Sequence, residues 1–175
     1  TFDFGGSPIR EWGELMPGRM DYIRALSEFG QDFKPLVLEA NDSDEFKVLS
    51  GGENISLVKP GAAESDTGLN SETENFKVYA RKLDDQYLVC VRNLSAEKKV
   101  VDVGFGATGK VVFQGLELDA RQTHLLPVNV RIPGGSTVVE SSTSELLFAR
   151  HVNGHCLFGL YGKPGSKGRT VLKVA

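Results

Sequence analysis

Histidine is the residue type in this chain that could most directly bind a metal or act as a base, and there are three. His151 and His155 have the i, i+4 spacing of a helical metal pair. They flank Asn153-Gly154, however, which is a strong hairpin signal because both central residues of a type I′ turn need positive φ. In a hairpin the two imidazoles fall on opposite faces. His124 begins a predicted strand without a nearby Cys or acidic pattern, so the sequence predicts no metal site.

Two glycine-rich stretches resemble phosphate-binding loops superficially. GFGATG, residues 104–109, is not followed by a helix that would supply an amide-lined terminus. KPGSKG, residues 163–168, is predicted to be a solvated turn. No serine has the flanking glycines of a nucleophile elbow. We therefore expect no catalytic residue in these motifs and no cofactor.

Carboxyl pairs are the remaining candidates for catalysis. A glycosidase needs two carboxyl groups held a few ångströms apart in a rigid cleft, and Asp3 with Glu11 or Glu14 qualifies only by proximity in sequence. Three Asn-X-Ser/Thr triplets also occur, and chance in a Ser-rich chain explains them better than glycosylation does. They begin at Asn41, Asn54 and Asn93.

Composition limits the classes of partner. The chain has 175 residues, a net charge of −3 and a pI near 5.7, which argues against nucleic acid or an anionic membrane surface as partner. No apolar run approaches the roughly 18 to 20 residues of a membrane span, and the first residues lack the basic and apolar regions of a signal peptide. Cys90 and Cys156 both fall in predicted strands, where two free thiols are favoured over a disulfide.

The stretch from Ser144 to Gly162 is predicted to be the hairpin around which the chain is organised. Its two apolar runs flank the Asn153-Gly154 turn, and we interpret it as the central two-stranded unit of a β-sandwich, with its tip in solvent. An aromatic at Phe148 is expected over Gly159. Counting from the turn predicts the pairs Val152–His155, His151–Cys156, Ala149–Phe158, Leu147–Leu160, Phe148–Gly159 and Leu146–Tyr161.

The sequence from residue 76 onward is all strand in pattern. Segments of five to nine residues are separated by Gly, Pro, Asn or Asp, which is typical of an antiparallel sandwich. The first hairpin joins FKVYARKL to YLVCVRNLS through Asp84-Asp85-Gln86. Further strands are predicted at KKVVDV, KVVFQG, LELDA, THLLPVNVRI, TVVESST and TVLKVA.

The sequence before residue 76 does not have this all-strand pattern. Residues 1–36 predict a strand, a turn and an amphipathic helix between Pro17 and Pro35, with Pro35 just past the helix end. Residues 37–75 predict a linker with one strand, ENISLVKP, and a polar loop. Residues 76–175 are the predicted sandwich domain. The apolar stripe of the helix consists of Met20, Ile23, Leu26, Phe29 and Phe33.

The opening residues resemble the end of the catalytic barrel in glycoside hydrolase family 35 β-galactosidases. There the last barrel strand carries a T-S-Y-D-Y-G type motif, followed by a short acidic loop and a helix in the style of K-Y-x-x-L-K. Residues 1–5, TFDFG, match the strand motif after a one-residue deletion, and Arg19 through Phe33 match the helix. FKVYARKLDDQYLVCVRN and ELLFARHVNGHCLFGLYGKPG resemble the β-domain that follows the barrel in the larger fungal-type members.

This resemblance implies where substrate would be contacted. The family's acid/base and nucleophile glutamates lie on earlier barrel strands, so these 175 residues are predicted to be inactive alone. The second aromatic of the motif lines the galactose subsite in relatives and maps onto Phe4, whereas the motif aspartate maps onto Asp3. Phe replaces Tyr at both aromatic positions, which removes a sugar hydrogen bond and leaves apolar stacking. We predict that Asp3 has a supporting, orienting role. The alternative is that this carboxylate has only a structural role.

The predicted fold class is therefore mainly β: an antiparallel β-sandwich preceded by one strand–helix unit resembling the last βα unit of a TIM barrel. The predicted function is the non-catalytic C-terminal portion of a β-galactosidase-like enzyme, which supports the barrel and contacts a galactoside. The helix stripe is then expected to be exposed, or to contact the missing barrel or a second copy of the chain. The resemblance suggests an extracellular or periplasmic location. The alternatives are a self-standing carbohydrate-binding sandwich that uses Tyr79, Tyr87 or Tyr161, or a purely structural interaction domain if those tyrosines are buried.

Overall fold

The computed structural model describes residues 27–51, 75–162, 165 and 167–174. Residues 27–32 are helical, and a second short helix follows directly. The Phe33 N–H donates to the Phe29 carbonyl at 2.9 Å, which continues the helical hydrogen bonding between the two segments. All other described elements are strands. The elements are α1 (Lys34–Leu38), β1 (Asn41–Ser43), β2 (Phe46–Ser50), β3 (Phe76–Leu83), β4 (Gln86–Asn93), β5 (Lys99–Phe105), β6 (Lys110–Leu118), β7 (Thr123–Arg131), β8 (Val138–Ser142), β9 (Glu145–Val152), β10 (His155–Tyr161) and β11 (Thr170–Lys173).

Two antiparallel sheets pack face to face. The central sheet has the order β1-β3-β4-β7-β8-β11, and the small sheet has the order β2-β5-β6. One face of the central sheet lies against the small sheet, and the side chains between them form the larger hydrophobic core. The predicted mainly β, sandwich-like fold is confirmed. This core contains Phe46, Ala80, Tyr87, Val89, Val91, Val101, Val103, Phe113, Leu116, Leu118, Leu126 and Val128.

The opposite face of the central sheet is covered by the helical segment and by the β9–β10 hairpin. Leu88 and Val130 from the central sheet meet Phe33 from the helical segment and Ala149 from the hairpin in a second buried cluster. Both faces of β4 are therefore covered, which explains why its five consecutive residues 87–91 are all buried. The sequence of a strand that is buried on both faces is a continuous apolar run, whereas polar and apolar residues alternate in a strand with one exposed face.

The prediction for the helix stripe is wrong at the two positions that the structure describes. Phe29 and Phe33 are 5% and 4% exposed, and both pack in the second cluster against the β-domain. Met20, Ile23 and Leu26 lie outside the described residues. The helix end is also misplaced by the prediction, because Pro35 lies in the first turn of α1, where proline needs no N–H partner.

The Asn-Gly hairpin forms as predicted near its turn. Asn153 and Gly154 have φ of 50° and 78°, and the register pairs His155 with Val152 and Phe148 with Gly159. A Cβ at Gly159 would overlap the Phe148 ring, so the aromatic does cover the glycine.

The outer half of this hairpin differs from the prediction. A bulge next to Gly159 shifts the register by one residue, so that Leu160 pairs with Leu146 and Tyr161 with Glu145. The pairs Leu147–Leu160 and Leu146–Tyr161 are therefore wrong. The hairpin is also not the centre of the sandwich, because β9 and β10 form a separate two-stranded sheet that covers one face of the central sheet.

Most of the other predicted strands are present. The β3–β4 hairpin has the two-residue loop Asp84-Asp85, and the predicted strands KVVFQG and LELDA are one strand, β6, with Gly115 at φ 62° inside it. Residues 41–50, which were predicted as linker, instead form β1 and β2. The predicted strand ENISLVKP lies outside the described residues. In the described part of the chain, no helix is long and apolar enough to cross a membrane.

Candidate functional site

A polar cleft of about 480 Å³ lies at one end of the sandwich. One wall is β6, an edge strand of the small sheet. The other walls are the turns β6–β7 and β8–β9 and the segment between β10 and β11. The volume lies within the range of about 300 to 1,000 Å³ of small-molecule sites. We call this surface the polar cleft; it is lined by Lys98, Gln114, Gly115, Leu116, Glu117, Asp119, Gln122, His124, Thr143, Ser144, Gly162, Gly165, Lys167, Gly168 and Arg169.

Charged and hydrogen-bonding side chains dominate this lining. Three side chains are cationic and two are carboxylates, whereas the whole chain has a net charge of −3. The Lys98 Nζ lies 2.5 Å from the Glu117 Oε2, so these two charges neutralise each other, and the contact raises the pKa of Lys98. Lys167 and Arg169 are exposed, and neither side chain is paired with a carboxylate in the part of the chain that the structure describes. The lining therefore carries a local excess of positive charge.

The loop that carries these two cations is fixed to the β8–β9 turn. The Arg169 N–H donates to the Thr143 Oγ1 at 2.8 Å, and the Thr143 N–H donates to the Arg169 carbonyl at 3.0 Å. A Cβ at Gly168 would lie 2.6 Å from the Ser144 Oγ, so glycine permits this close approach. One main-chain bond and one bond to the Thr143 hydroxyl therefore hold this wall against the β8–β9 turn.

A carboxylate at the start of β9 organises the inner end of the polar cleft. β7 pairs with β8 only from Val128 onward, which leaves the Leu125 N–H without a strand partner on that side. The Glu145 Oε1 accepts this N–H at 3.0 Å and lies 3.7 Å from the His124 Nδ1. The two side chains are 17% and 13% exposed. Glu145 therefore holds the hairpin against the open edge of β7 and lies beside the imidazole that lines the cleft.

The residues predicted to contact substrate are not brought into this site by the described structure. Asp3 and Phe4 lie outside the described residues. Tyr87 is buried, whereas Tyr79 and Tyr161 are 56% and 53% exposed. A hydrogen bond with the Cys90 thiol and partial burial together raise the pKa of Tyr79 to about 12.

A second cluster, which consists of Glu45, Lys82 and Tyr87, contains residue types that are common in active sites, but its contacts serve to hold strands together. The Glu45 carboxylate accepts hydrogen bonds from the Lys82 Nζ at 2.5 Å and the Tyr87 hydroxyl at 2.9 Å. Both bonds lower the pKa of Glu45, the Lys82 bond more strongly. The three side chains connect the start of β2 to the β3–β4 hairpin across the edge of the sandwich. We assign this cluster a role in stability.

The remaining chemically reactive side chains do not converge. His151 and His155 fall on opposite faces of the hairpin, as predicted, because His151 pairs with Cys156 and His155 with Val152. Cys90 and Cys156 are free thiols in strands, and burial raises the pKa of Cys90. Among the described residues, no group of three or more His, Cys, Asp or Glu side chains could hold a metal ion.

Sequence reasoning missed most of the polar cleft. Its residues come from four separate stretches, which are Lys98, 114–124, 143–144 and 162–169, and no motif spacing links them. One signal was available, because Gly165, Lys167 and Gly168 belong to the KPGSKG stretch that was predicted to be a solvated turn. No protein-family model matches the chain, and no curated protein matches it.

Proposed function

We propose that this chain is the non-catalytic C-terminal portion of a β-galactosidase-like glycoside hydrolase, in which the β-domain supports the catalytic barrel. The proposal starts from the resemblance of residues 1–33 and of the strand segments to family 35. The described end of the helix is buried against the β-domain instead of being exposed for a barrel, so the proposal rests on the resemblance and places the support of the barrel at this joint. Because the β-domain holds the helix, it can restrict the motion of the helix and so stabilise the barrel to which the helix is proposed to belong.

The joint consists of an apolar and an ionic part. Phe29 and Phe33, with ring centroids 4.8 Å apart, are buried between the helical segment and the strands. The Asp32 carboxylate accepts the Ala149 N–H at 3.2 Å and lies 3.0 Å from the Arg150 Nη2. Because the Ala149 bond satisfies an open strand edge, the contact fixes the helix along β9. A helix held at both its apolar and polar faces moves with the sandwich as one body.

The coding sequence upstream of Thr1 tests this proposal. We expect the natural reading frame to continue upstream through alternating strand and helix patterns, with two glutamates that follow separate strands. A stop codon or a start codon within a few residues upstream of Thr1 would contradict the proposal, because the helix would then have no barrel to complete.

The joint itself is tested in the protein that is translated from its natural start. Arg150→Ala removes the ion pair with Asp32, and we expect faster thermal inactivation of β-galactosidase activity with an unchanged KM. The matched control is Arg131→Ala, because Arg131 pairs with Asp85 at the exposed β3–β4 turn and, among the described residues, has no ion pair with the helix. Equal inactivation rates for the two variants would show that the joint does not support the barrel.

A second candidate function is a self-standing carbohydrate-binding sandwich. The exposure of Tyr79 and Tyr161 favours it, since exposed aromatic faces can stack on sugar rings. Titration of the 175-residue chain with a galacto-oligosaccharide distinguishes this candidate. It predicts binding that is lost in Tyr79→Ala or Tyr161→Ala, whereas the support role predicts no effect of either change.

A further inference from the structure

We infer that the polar cleft is a binding site for an acidic saccharide, whose carboxylate is held by Lys167 and Arg169. This inference uses only the described β-domain and does not rest on the proposed barrel. The saccharide class follows from two properties of the lining: an excess of cations that is localised on one wall, and uncommitted amide and hydroxyl groups elsewhere in the lining.

The cationic wall is suited to a carboxylate. Lys98 is already paired with Glu117, but Lys167 and Arg169 have no carboxylate partner within the described ranges. They lie two residues apart on one loop, and Thr143 fixes the main chain of Arg169 through one main-chain bond and one bond from the Arg169 N–H to its hydroxyl, so the position of Arg169 is defined before a ligand arrives. A guanidinium presents paired N–H donors that match a carboxylate, and an ammonium adds a point charge.

The rest of the lining is suited to hydroxyl groups. The Gln122 Oε1 accepts the Asp119 N–H at 2.7 Å, which leaves the side-chain NH₂ of Gln122 available as a donor. The Gln114 amide and the Ser144 hydroxyl make no side-chain hydrogen bond in the part of the chain that the structure describes. Amides and hydroxyls both donate and accept, as sugar hydroxyls do. A simple inorganic anion would leave these groups unused.

The test compares two disaccharides that differ only at C6, in titrations of the 175-residue chain at low salt. The probes are α-1,4-linked digalacturonate, which has carboxylates, and α-1,4-linked galactobiose, which has hydroxymethyl groups. Sodium sulfate is the third probe. We expect digalacturonate to bind about tenfold or more tightly than either of the others, because charge-assisted hydrogen bonds are lost with galactobiose and hydroxyl contacts with sulfate.

Variants locate the site. In the double variant Lys167→Gln, Arg169→Gln, digalacturonate affinity should fall by about tenfold or more, and its salt dependence should weaken. Lys173→Gln removes an exposed cation of β11 outside the cleft and should change the affinity by less than about twofold. Gln114→Ala should weaken digalacturonate but not sulfate. Circular dichroism checks that each variant is folded.

Four results would overturn the inference. The first is equal affinity for the two disaccharides, which would mean that the cations do not select a carboxylate. The second is sulfate binding as tight as digalacturonate, which would indicate a simple anion site. The third is absence of binding by all three probes, and the fourth is digalacturonate binding that the double variant retains in full.

Discussion

Replacing Phe33 by Ala tests whether the helical segment is an integral part of the β-domain. The Phe33 side chain is 4% exposed and packs with Phe29, Leu88, Val130 and Leu146 in the second core cluster. Burying a Phe side chain contributes about 1.5 to 3 kcal/mol, and the space left between the helix and two strand layers adds a cavity term. We therefore expect the free energy of unfolding to fall by about 3 to 5 kcal/mol.

The assay is urea denaturation followed by far-ultraviolet circular dichroism, with the slope of the transition compared between variants. The matched control is Leu38→Ala, because Leu38 lies on the same helical segment but is 65% exposed. We expect this control to change the free energy of unfolding by less than about 0.5 kcal/mol. If Phe33→Ala costs less than about 1 kcal/mol, the helix is not held by the β-domain and the joint described above is wrong.

Three further predictions concern stability and use the same denaturation assay. Gly154→Val should cost about 1 to 3 kcal/mol, because φ at Gly154 is 78° and a β-branched residue is strained there; an unchanged midpoint would exclude the type I′ turn. Asn93→Ala should lower the free energy of unfolding by about 2 to 4 kcal/mol, because the fully buried amide donates to three carbonyl groups, including that of Glu97 at 2.7 Å. A decrease of less than about 1 kcal/mol would show that other contacts can replace these hydrogen bonds. Glu45 has a pKa below its usual 4.5, so its contribution to stability is complete above pH 4.5 and is lost as the pH falls through the lowered pKa. The difference in stability between the wild type and Glu45→Gln should therefore shrink between pH 7 and pH 3, and a difference that is constant with pH would contradict the pairing with Lys82.

The strand pattern was predictable because the local signals agree with the tertiary contacts. The Asn153-Gly154 turn and the Asp84-Asp85 turn each have a residue with positive φ where the sequence indicates one. The bulge beside Gly159 was not predictable by counting, since an extra residue depends on how the hairpin curves over the central sheet. β1 was missed because its residues, NDS, are polar and lie at the sheet edge.

The position of the helix was predicted wrongly although a signal for it existed. Residues 87–91 form a run of five nonpolar residues in β4, and a strand of this kind needs cover on both faces. The small sheet covers only one face, so the sequence implies a third layer, which Phe29 and Phe33 help to supply. The polar cleft could not be predicted, because its walls come together only after the two sheets have packed.

The proposal that this chain is the non-catalytic portion of a β-galactosidase-like enzyme is tested most directly by paired activity measurements. Hydrolysis of an aryl β-galactoside should be measured for the 175-residue chain and for the protein that is translated from its natural start, at equal molar concentration. We predict turnover by the natural protein and none above a buffer blank by the 175 residues, because a glycosidase needs two positioned carboxyl groups and the resemblance places both upstream. Turnover by the 175-residue chain that a single Asp or Glu substitution within it abolishes would contradict the account.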